Sequence, residues 1–255
     1  MMLIDTHAHL YLAKFDDDRE EMMDRARQNG IEKIYLPNID HESIDVMLKM
    51  EADYPDRCFA MMGLHPCSVK ENYKEELKIV EDWLGQRPFC AIGEIGMDLY
   101  WDKSFVEQQK EAFRLQINWA KDLGRPIVIH AREATDLIID IVREEQDGRL
   151  GGIFHCFGGS VEQAQSIIDL GFYLGIGGVL TFKKSGLDKT MERLSLEHVV
   201  LETDAPYLAP TPFRGKRNES AYIHQIATRL ASIKETSLEE VAKLTSDNAQ
   251  KIFAS

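Results

Sequence analysis

Short apolar runs alternate with longer amphipathic segments along the whole chain. The first run, Met2-Leu3-Ile4, leads into Asp5-Thr6-His7-Ala8-His9 and predicts a buried strand ending at that motif. Asp18 to Asn29 carries Met22, Met23 and Ala26 at helical spacing, and Gly30 stops it. Ile31 to Ile39 predicts a second strand, Ser43 to Tyr54 a helix, Cys58 to Leu64 a third strand, and Glu75 to Leu84 a helix. Phe89 to Ile95 predicts a fourth strand, Phe105 to Leu123 a helix closed by Gly124, and Pro126 to Ile129 a fifth strand. A helix runs on through about Arg143, before a sixth strand at Gly152 to Phe154 and a helix at Val161 to Leu170. Phe172 to Ile176 and His198 to Leu201 predict the last two strands, with a short helix near Leu187 to Arg193 between them. The tail is helical over Tyr222 to Ile233 and Leu238 to Ile252, and Ser237 with Glu240 forms a capping-box pattern.

Eight strands that each precede a helical segment predict a parallel sheet closed into a (β/α)8 barrel, a TIM barrel, as a single domain over residues 1–255. An open doubly wound sheet is the main alternative, but its G-x-G-x-x-G dinucleotide signature is absent from the first turn, where Asp-Thr-His-Ala-His stands. No internal repeat, low-complexity tract or linker divides the chain.

Composition narrows the class. With 44% hydrophobic and 29% charged residues, this is a globular chain rather than a disordered or fibrous one. A net charge of −13 argues against broad attraction to nucleic acid or anionic membrane, though not against a local basic site. Cys58, Cys67, Cys90 and Cys156 form no C-x-x-C pair and no disulfide framework, so a reducing compartment is expected. The N-terminus lacks a signal-peptide pattern and no apolar run is long enough to span a bilayer, so the expected location is the cytoplasm.

The candidate chemistry sits at the inferred C-terminal strand ends, the face where barrel enzymes keep their active sites. The first strand offers His7 and His9, two apart and therefore on one side. The third offers His65. The fourth offers Glu94, with Asp98 just beyond. His130 and Arg132 follow the fifth, His155 the sixth, and Glu202 and Asp204 the eighth. Five of the eight histidines fall at these ends, whereas a random scatter would place most on helices and loops. His41, His198 and His224 read as structural or solvated. Imidazole and carboxylate ligands suit Zn²⁺, Mn²⁺ or Mg²⁺. His7, His9 and Glu94 can hold one divalent ion, and Glu94, His130 and His155 a second, with Glu94 bridging and Asp204 completing the first site. Cys156, next to His155, is expected to point into the barrel wall.

Six spaced segments resemble the TatD-type metal-dependent deoxyribonucleases, a family of amidohydrolase-like barrels. They are DTHAHL at the start, GLHP at 63–66, AIGEIGMDLYWD at 91–102, PIVIHAREA at 126–134, FHCFGGS at 154–160 and LETDAPYLAP at 201–210. The resemblance extends through FRGKRNES at 213–220, with Gly159 and Ser220 as small departures that touch no proposed ligand. It implies a two-metal centre that hydrolyses phosphodiester bonds in DNA. By motif, His7, His9, Glu94, His130, His155 and Asp204 match the family's metal ligands. Asp204 matches the ligand that orients the attacking water, and His65 matches a rim residue that donates to a substrate phosphate. The carbamylated lysine of many amidohydrolases is absent from this family, in agreement with Glu94 at the fourth strand.

Basic and aromatic residues cluster on the same loops. Arg132, Lys183, Lys184, Arg214, Lys216 and Arg217 are placed to contact phosphates, and Tyr100, Trp101, Tyr207 and Phe213 to stack on unpaired bases. A local basic patch on an acidic body suits a strand end better than a long duplex. The expected activity is therefore 3′–5′ exonuclease action on single strands or frayed ends of DNA. A two-metal amidohydrolase or esterase, including one that deacylates mischarged tRNA, is the alternative. A non-catalytic binding module on a dead barrel ranks last, because every matched ligand is present.

Overall fold

A computed structural model describes residues 1–254. Its eight strands are β1 (Leu3–Asp5), β2 (Ile31–Leu36), β3 (Cys58–Ala60), β4 (Ile92–Asp98), β5 (Ile127–Arg132), β6 (Gly152–Phe154), β7 (Phe172–Ile176) and β8 (Val199–Leu201). The α-helices are α1 (Arg19–Gln28), α2 (His41–Asp53), α3 (Tyr73–Gln86), α4 (Val106–Leu123), α5 (Thr135–Glu145), α6 (Val161–Asp169), α7 (Leu187–Arg193), α8 (Ile223–Ile233) and α9 (Leu238–Phe253). Every strand pairing is parallel and follows chain order. The regular ladders form a three-stranded sheet, β1 to β3, and a five-stranded sheet, β4 to β8.

Two irregular seams close these sheets into a (β/α)8 barrel. Between β3 and β4 the seam is a Met62–Ile92 bridge, with Gly93 N–H donating to the Met62 carbonyl at 3.0 Å. Between β8 and β1 it is an Ala8–Ala205 bridge, flanked by Thr6 N–H to Leu201 O at 3.0 Å and Asp204 N–H to His7 O at 2.9 Å. The open-sheet alternative is thereby set aside.

The helices begin and end for local reasons. Ser160 and Ser237 cap α6 and α9 by accepting from the N–H groups of Gln163 and Glu240. Ser237 makes its half of the capping box, while the reciprocal box forms at Ser160 with Gln163. Gly124 ends α4 in the left-handed conformation at φ +61, which an L side chain resists. The base of the barrel is filled by Ile4, Tyr35, Met61, Val128, Ile153 and Val200, and α9 seals it. There Phe253 stacks on Tyr35 at 3.6 Å between ring centroids. No helix among the described residues is long and apolar enough to cross a membrane.

Several boundaries differ from the sequence expectation. β1 ends at Asp5 and β3 at Ala60, so the histidine motif and His65 sit on irregular backbone beyond the ladder. β4 runs from Ile92 to Asp98, not from Phe89 to Ile95, and β5 continues to Arg132. The β4–β5 register shifts between Gly93 and Ile95, which makes Glu94 the bulged residue. A bulge re-aims the side chain it carries, and this one sends Glu94 into the mouth of the barrel.

Candidate metal centre

Glu94, fully inside and 2% exposed, is the hub of the site. Its Oε2 faces His7 Nε2 at 3.1 Å and His9 Nε2 at 3.5 Å. Its Oε1 faces His130 Nδ1 at 2.8 Å, His155 Nε2 at 3.0 Å and His65 Nε2 at 3.4 Å. One carboxylate thus presents each oxygen to a different group of imidazoles. Asp204 Oδ1 lies 3.8 Å from His7 Nε2 and 3.7 Å from His9 Nε2. It is held there by a left-handed backbone at φ +55, a conformation that aspartate tolerates better than most residues.

Three compact triads can hold an ion among the described residues: His7–His9–Glu94, His7–His155–Asp204 and His65–Glu94–His130. The first is the trio expected from the sequence. His130 and His155, expected together in a second site with Glu94, both contact its Oε1, but each also belongs to a different triad. His65, expected at the rim, stands within the cluster.

The ligating nitrogens are fixed by groups outside the cluster. Tyr11 donates its hydroxyl to the Pro37 carbonyl at 2.6 Å, so its oxygen accepts from His9 Nδ1–H at 2.8 Å. That leaves His9 Nε2 bare and aimed at the centre, 3.3 Å from His7 Nε2. Glu202 Oε1 accepts from His155 Nδ1 at 3.2 Å and from the Cys156 N–H at 2.5 Å, turning His155 Nε2 inward. Asp98 Oδ2 binds His130 Nε2 at 3.0 Å, leaving Nδ1 for the centre. Metal-bound histidines typically have such partners on the second nitrogen. Asp5 ties the first motif to the eighth strand, accepting from Thr203 Oγ1 and Ser220 Oγ at 2.6 Å each and from Thr203 N–H at 2.9 Å.

Two glycines make this packing possible. Gly96, at φ +137, lies against the His130 carbonyl, where a Cβ would come within 2.1 Å of the oxygen. A Cβ on Gly175 would lie 2.3 Å from Glu202 Oε2 and 3.0 Å from His155 Cα.

The electrostatics call for cations. Glu94, Asp98, Glu202 and Asp204 bring four carboxylates into one small, nearly dry volume. With neutral imidazoles, two divalent ions would balance that charge. Without ions the balance falls to protons. Burial opposes charging of His65, His130 and His155, but Glu94 and the other neighbouring carboxylates outweigh it and raise all three. Burial likewise opposes ionisation of Glu94, yet the surrounding imidazoles hold it well below the usual range. Asp98 is lowered against the effect of burial by His130 and the N–H groups of Trp101 and Tyr100. His7 is lowered by burial and by the charge of His155, and Asp204 is raised by burial. A buried imidazole nitrogen without a partner, His7 Nδ1, and a buried carboxylate oxygen without one, Glu202 Oε2, complete the strained account. The donor set therefore fits divalent metal.

The remaining sequence candidates lie outside the cluster. Arg132 stacks on Tyr100 at 4.0 Å and lies 5.3 Å from Trp101, which is 68% exposed. Arg214 covers Phe182 at 3.6 Å. Lys216 is exposed. Arg217 is committed elsewhere: its guanidinium grips Asp18 at 2.6 and 2.8 Å and the Lys14 carbonyl at 2.8 Å, so it is a brace and not a free cation. Cys156 is partly buried at φ +49, with its thiol pushed up to about 12 by burial.

A closed (β/α)8 barrel with imidazoles and carboxylates converging at the C-terminal ends of its strands defines a metal-dependent hydrolase. Comparison with known proteins agrees. The family model for TatD related DNase matches residues 4–254. The metal-dependent hydrolase YabD of Bacillus subtilis is 40% identical over 99% of both chains. The crystal structure of YjjV, a TatD homolog from Escherichia coli, superposes with a TM-score of 0.93 at 29% identity, covering 99% of this chain and 98% of that one. The chain belongs to the TatD family of metal-dependent hydrolases.

Proposed function

We propose that this hydrolase cleaves phosphodiester bonds in DNA at a two-metal centre, as a 3′–5′ exonuclease on single strands or frayed ends. The observation that carries the two-metal reading is Glu94, whose two oxygens face two separate groups of imidazoles. His7, His9, Glu94, His130, His155 and Asp204 would hold the ions. Mg²⁺, Mn²⁺ or Zn²⁺ in that position would polarise the phosphoryl group and lower the pKa of water.

The chain's own groups do the rest. Asp204 Oδ1, beside His7 and His9 and made more basic by burial, accepts the proton of the attacking water. His65 receives the Cys67 N–H on Nδ1 at 3.0 Å, which puts its proton on Nε2, 3.4 Å from Glu94 Oε1, where a substrate phosphate oxygen would compete for it. Arg132, Arg214 and Lys216 have no carboxylate partner among the described residues, although acidic residues outnumber basic ones by 43 to 30. Exposed cations beside exposed rings suit unpaired nucleotides, with phosphate on the cation and base on the ring. All four cysteines are free, in keeping with a reducing cytoplasm.

The test is product analysis with end-labelled single-stranded and duplex DNA, RNA and a mischarged tRNA, each with Mg²⁺, Mn²⁺ and Zn²⁺. Mononucleotides released progressively from the 3′ end of single-stranded DNA are the expected result. Release of amino acid from tRNA with DNA untouched would replace this reading with the esterase alternative.

A further inference from the structure

At the β8–β1 side of the mouth lies a notch of about 380 Å³ lined by Lys14, Pro206, Gly215, Lys216 and Arg217. Lys14 comes from the short 3-10 turn Ala13–Phe15 that follows the histidine motif. The third cation of the lining, Arg217, is neutralised by its two bonds to Asp18. Its bond to the Lys14 carbonyl and its stacking over Phe15 at 4.4 Å fix the turn that carries Lys14. Lys14 and Lys216 have no carboxylate partner among the described residues, so the notch holds two uncompensated positive charges. Both are exposed and accessible.

The notch is joined to the metal centre by one ring. Lys14 Nζ sits 5.1 Å from the centroid of Tyr207, and Tyr207 lies 6.0 Å edge-on from the His9 ring. Tyr207 is 43% exposed, so one part of its ring is free to take a base. The order is therefore centre, aromatic ring, then the notch that Lys14 and Lys216 line. A nucleotide chain makes the same demands: a reacting phosphate, a sugar that carries its base to one side, and the next phosphate.

We infer that the Lys14–Lys216 notch is a subsite for a second phosphate, one nucleotide from the bond being cleaved, with Tyr207 stacking on the intervening base. The inference rests on the nucleic-acid reading of the site. It goes further by adding Lys14, a residue outside the basic loop, and by making Arg217 the wall of the subsite. The preferred substrate would carry a phosphate beyond the scissile one, whether a chain phosphate or a terminal monoester.

The experiment measures binding of fluorescent oligothymidylate to metal-free protein against salt, beside hydrolysis by the metal-loaded enzyme of thymidine dinucleotides with and without a terminal phosphate. Each phosphate contact contributes about 0.7 to the slope of log K against log salt for single strands. The double variant Lys14→Ala, Lys216→Ala removes one phosphate contact, so it should lower the slope by about 0.7 and lose the preference for the phosphate-bearing dinucleotide. Lys14→Arg, Lys216→Arg should keep both. A control at the other end of the barrel, Lys33→Ala with Lys251→Ala, should keep the wild-type slope. An unchanged slope in the first variant, or an equal fall in the control, overturns the subsite while DNA cleavage by the wild type leaves the nuclease reading intact. A wild-type enzyme that leaves every phosphodiester whole removes both.

Discussion

Replacing Glu202 with glutamine tests whether the charge behind His155, or only its hydrogen bond, sets the strength of the metal centre. Glu202 is fully buried; Oε1 receives both His155 Nδ1 and the Cys156 N–H, and Oε2 has no partner. A glutamine oxygen at Oε1 keeps both bonds, and its NH₂ takes the place of Oε2 beside Gly175, so shape and packing survive. The negative charge is lost. At 3.2 Å, a full charge on Glu202 and a cationic His155 interact by about 5 kcal/mol at an effective dielectric of about 20. Only part of this reaches a metal beyond the ring, and losing a partner of this kind typically costs about 10–100-fold in metal affinity, or about 1.4–2.7 kcal/mol. The metal-free fold should change by no more than about 1 kcal/mol, a shift of roughly 2–4 °C, because an uncompensated buried carboxylate oxygen is removed along with a favourable contact. The assay is competition with a chromophoric chelator, alongside thermal unfolding of the metal-free variant. Wild-type metal affinity would refute the electrostatic role. Loss of the fold would make Glu202 a structural keystone.

Other outcomes follow from the same geometry. Chelation should abolish hydrolysis and divalent ions restore it; full activity in stripped protein would sink the metal assignment. Asp204→Asn should fold and retain metal while turnover falls about 10²–10⁴-fold, read by steady-state hydrolysis beside metal content. In metal-free protein, the raised His65, His130 and His155 stabilise the fold below their ordinary value of 6.5. That contribution is lost as pH rises through their folded values, so the melting temperature should fall over the window above pH 6.5, and metal should flatten the trend. A melting curve independent of pH over that window would contradict the proton balance. Arg217→Ala should cost about 1 kcal/mol through Asp18 and the Lys14 carbonyl, measured by urea unfolding; full stability would deny it the role of brace.

Much of this arrangement was legible in the chain. The apolar runs located all eight strands, and Gly30 and Gly124 marked helix ends where the backbone does turn left-handed. The histidines were readable because they follow those runs directly. The depth of Glu94 was not, because a bulge between Gly93 and Ile95 breaks the alternation from which facing is inferred. Asp98 shares the inward face with Gly96 and His130, a relation visible only once β4 extends past Ile95. Tyr11 and Asp5 act through contacts of 26 and 215 residues' separation, which no local pattern carries. Arg217 looked like its neighbours Arg214 and Lys216, and only its pairing with Asp18 across the fold distinguishes it.

The seams of the barrel bear on how long the molecule survives. His7, His9 and His65 belong to the three-stranded side, and Glu94, His130, His155 and Asp204 to the five-stranded side. An ion held by His65, Glu94 and His130 would rivet the end of β3 to that of β4, and one held by His7, His155 and Asp204 the end of β1 to that of β8, the two places where regular ladders are missing. A metal-starved molecule loses its rivets at the lines along which a barrel opens most readily, and transient opening is what proteases sample. Metal-stripped protein should accordingly be cut faster by added protease than the metal-loaded form.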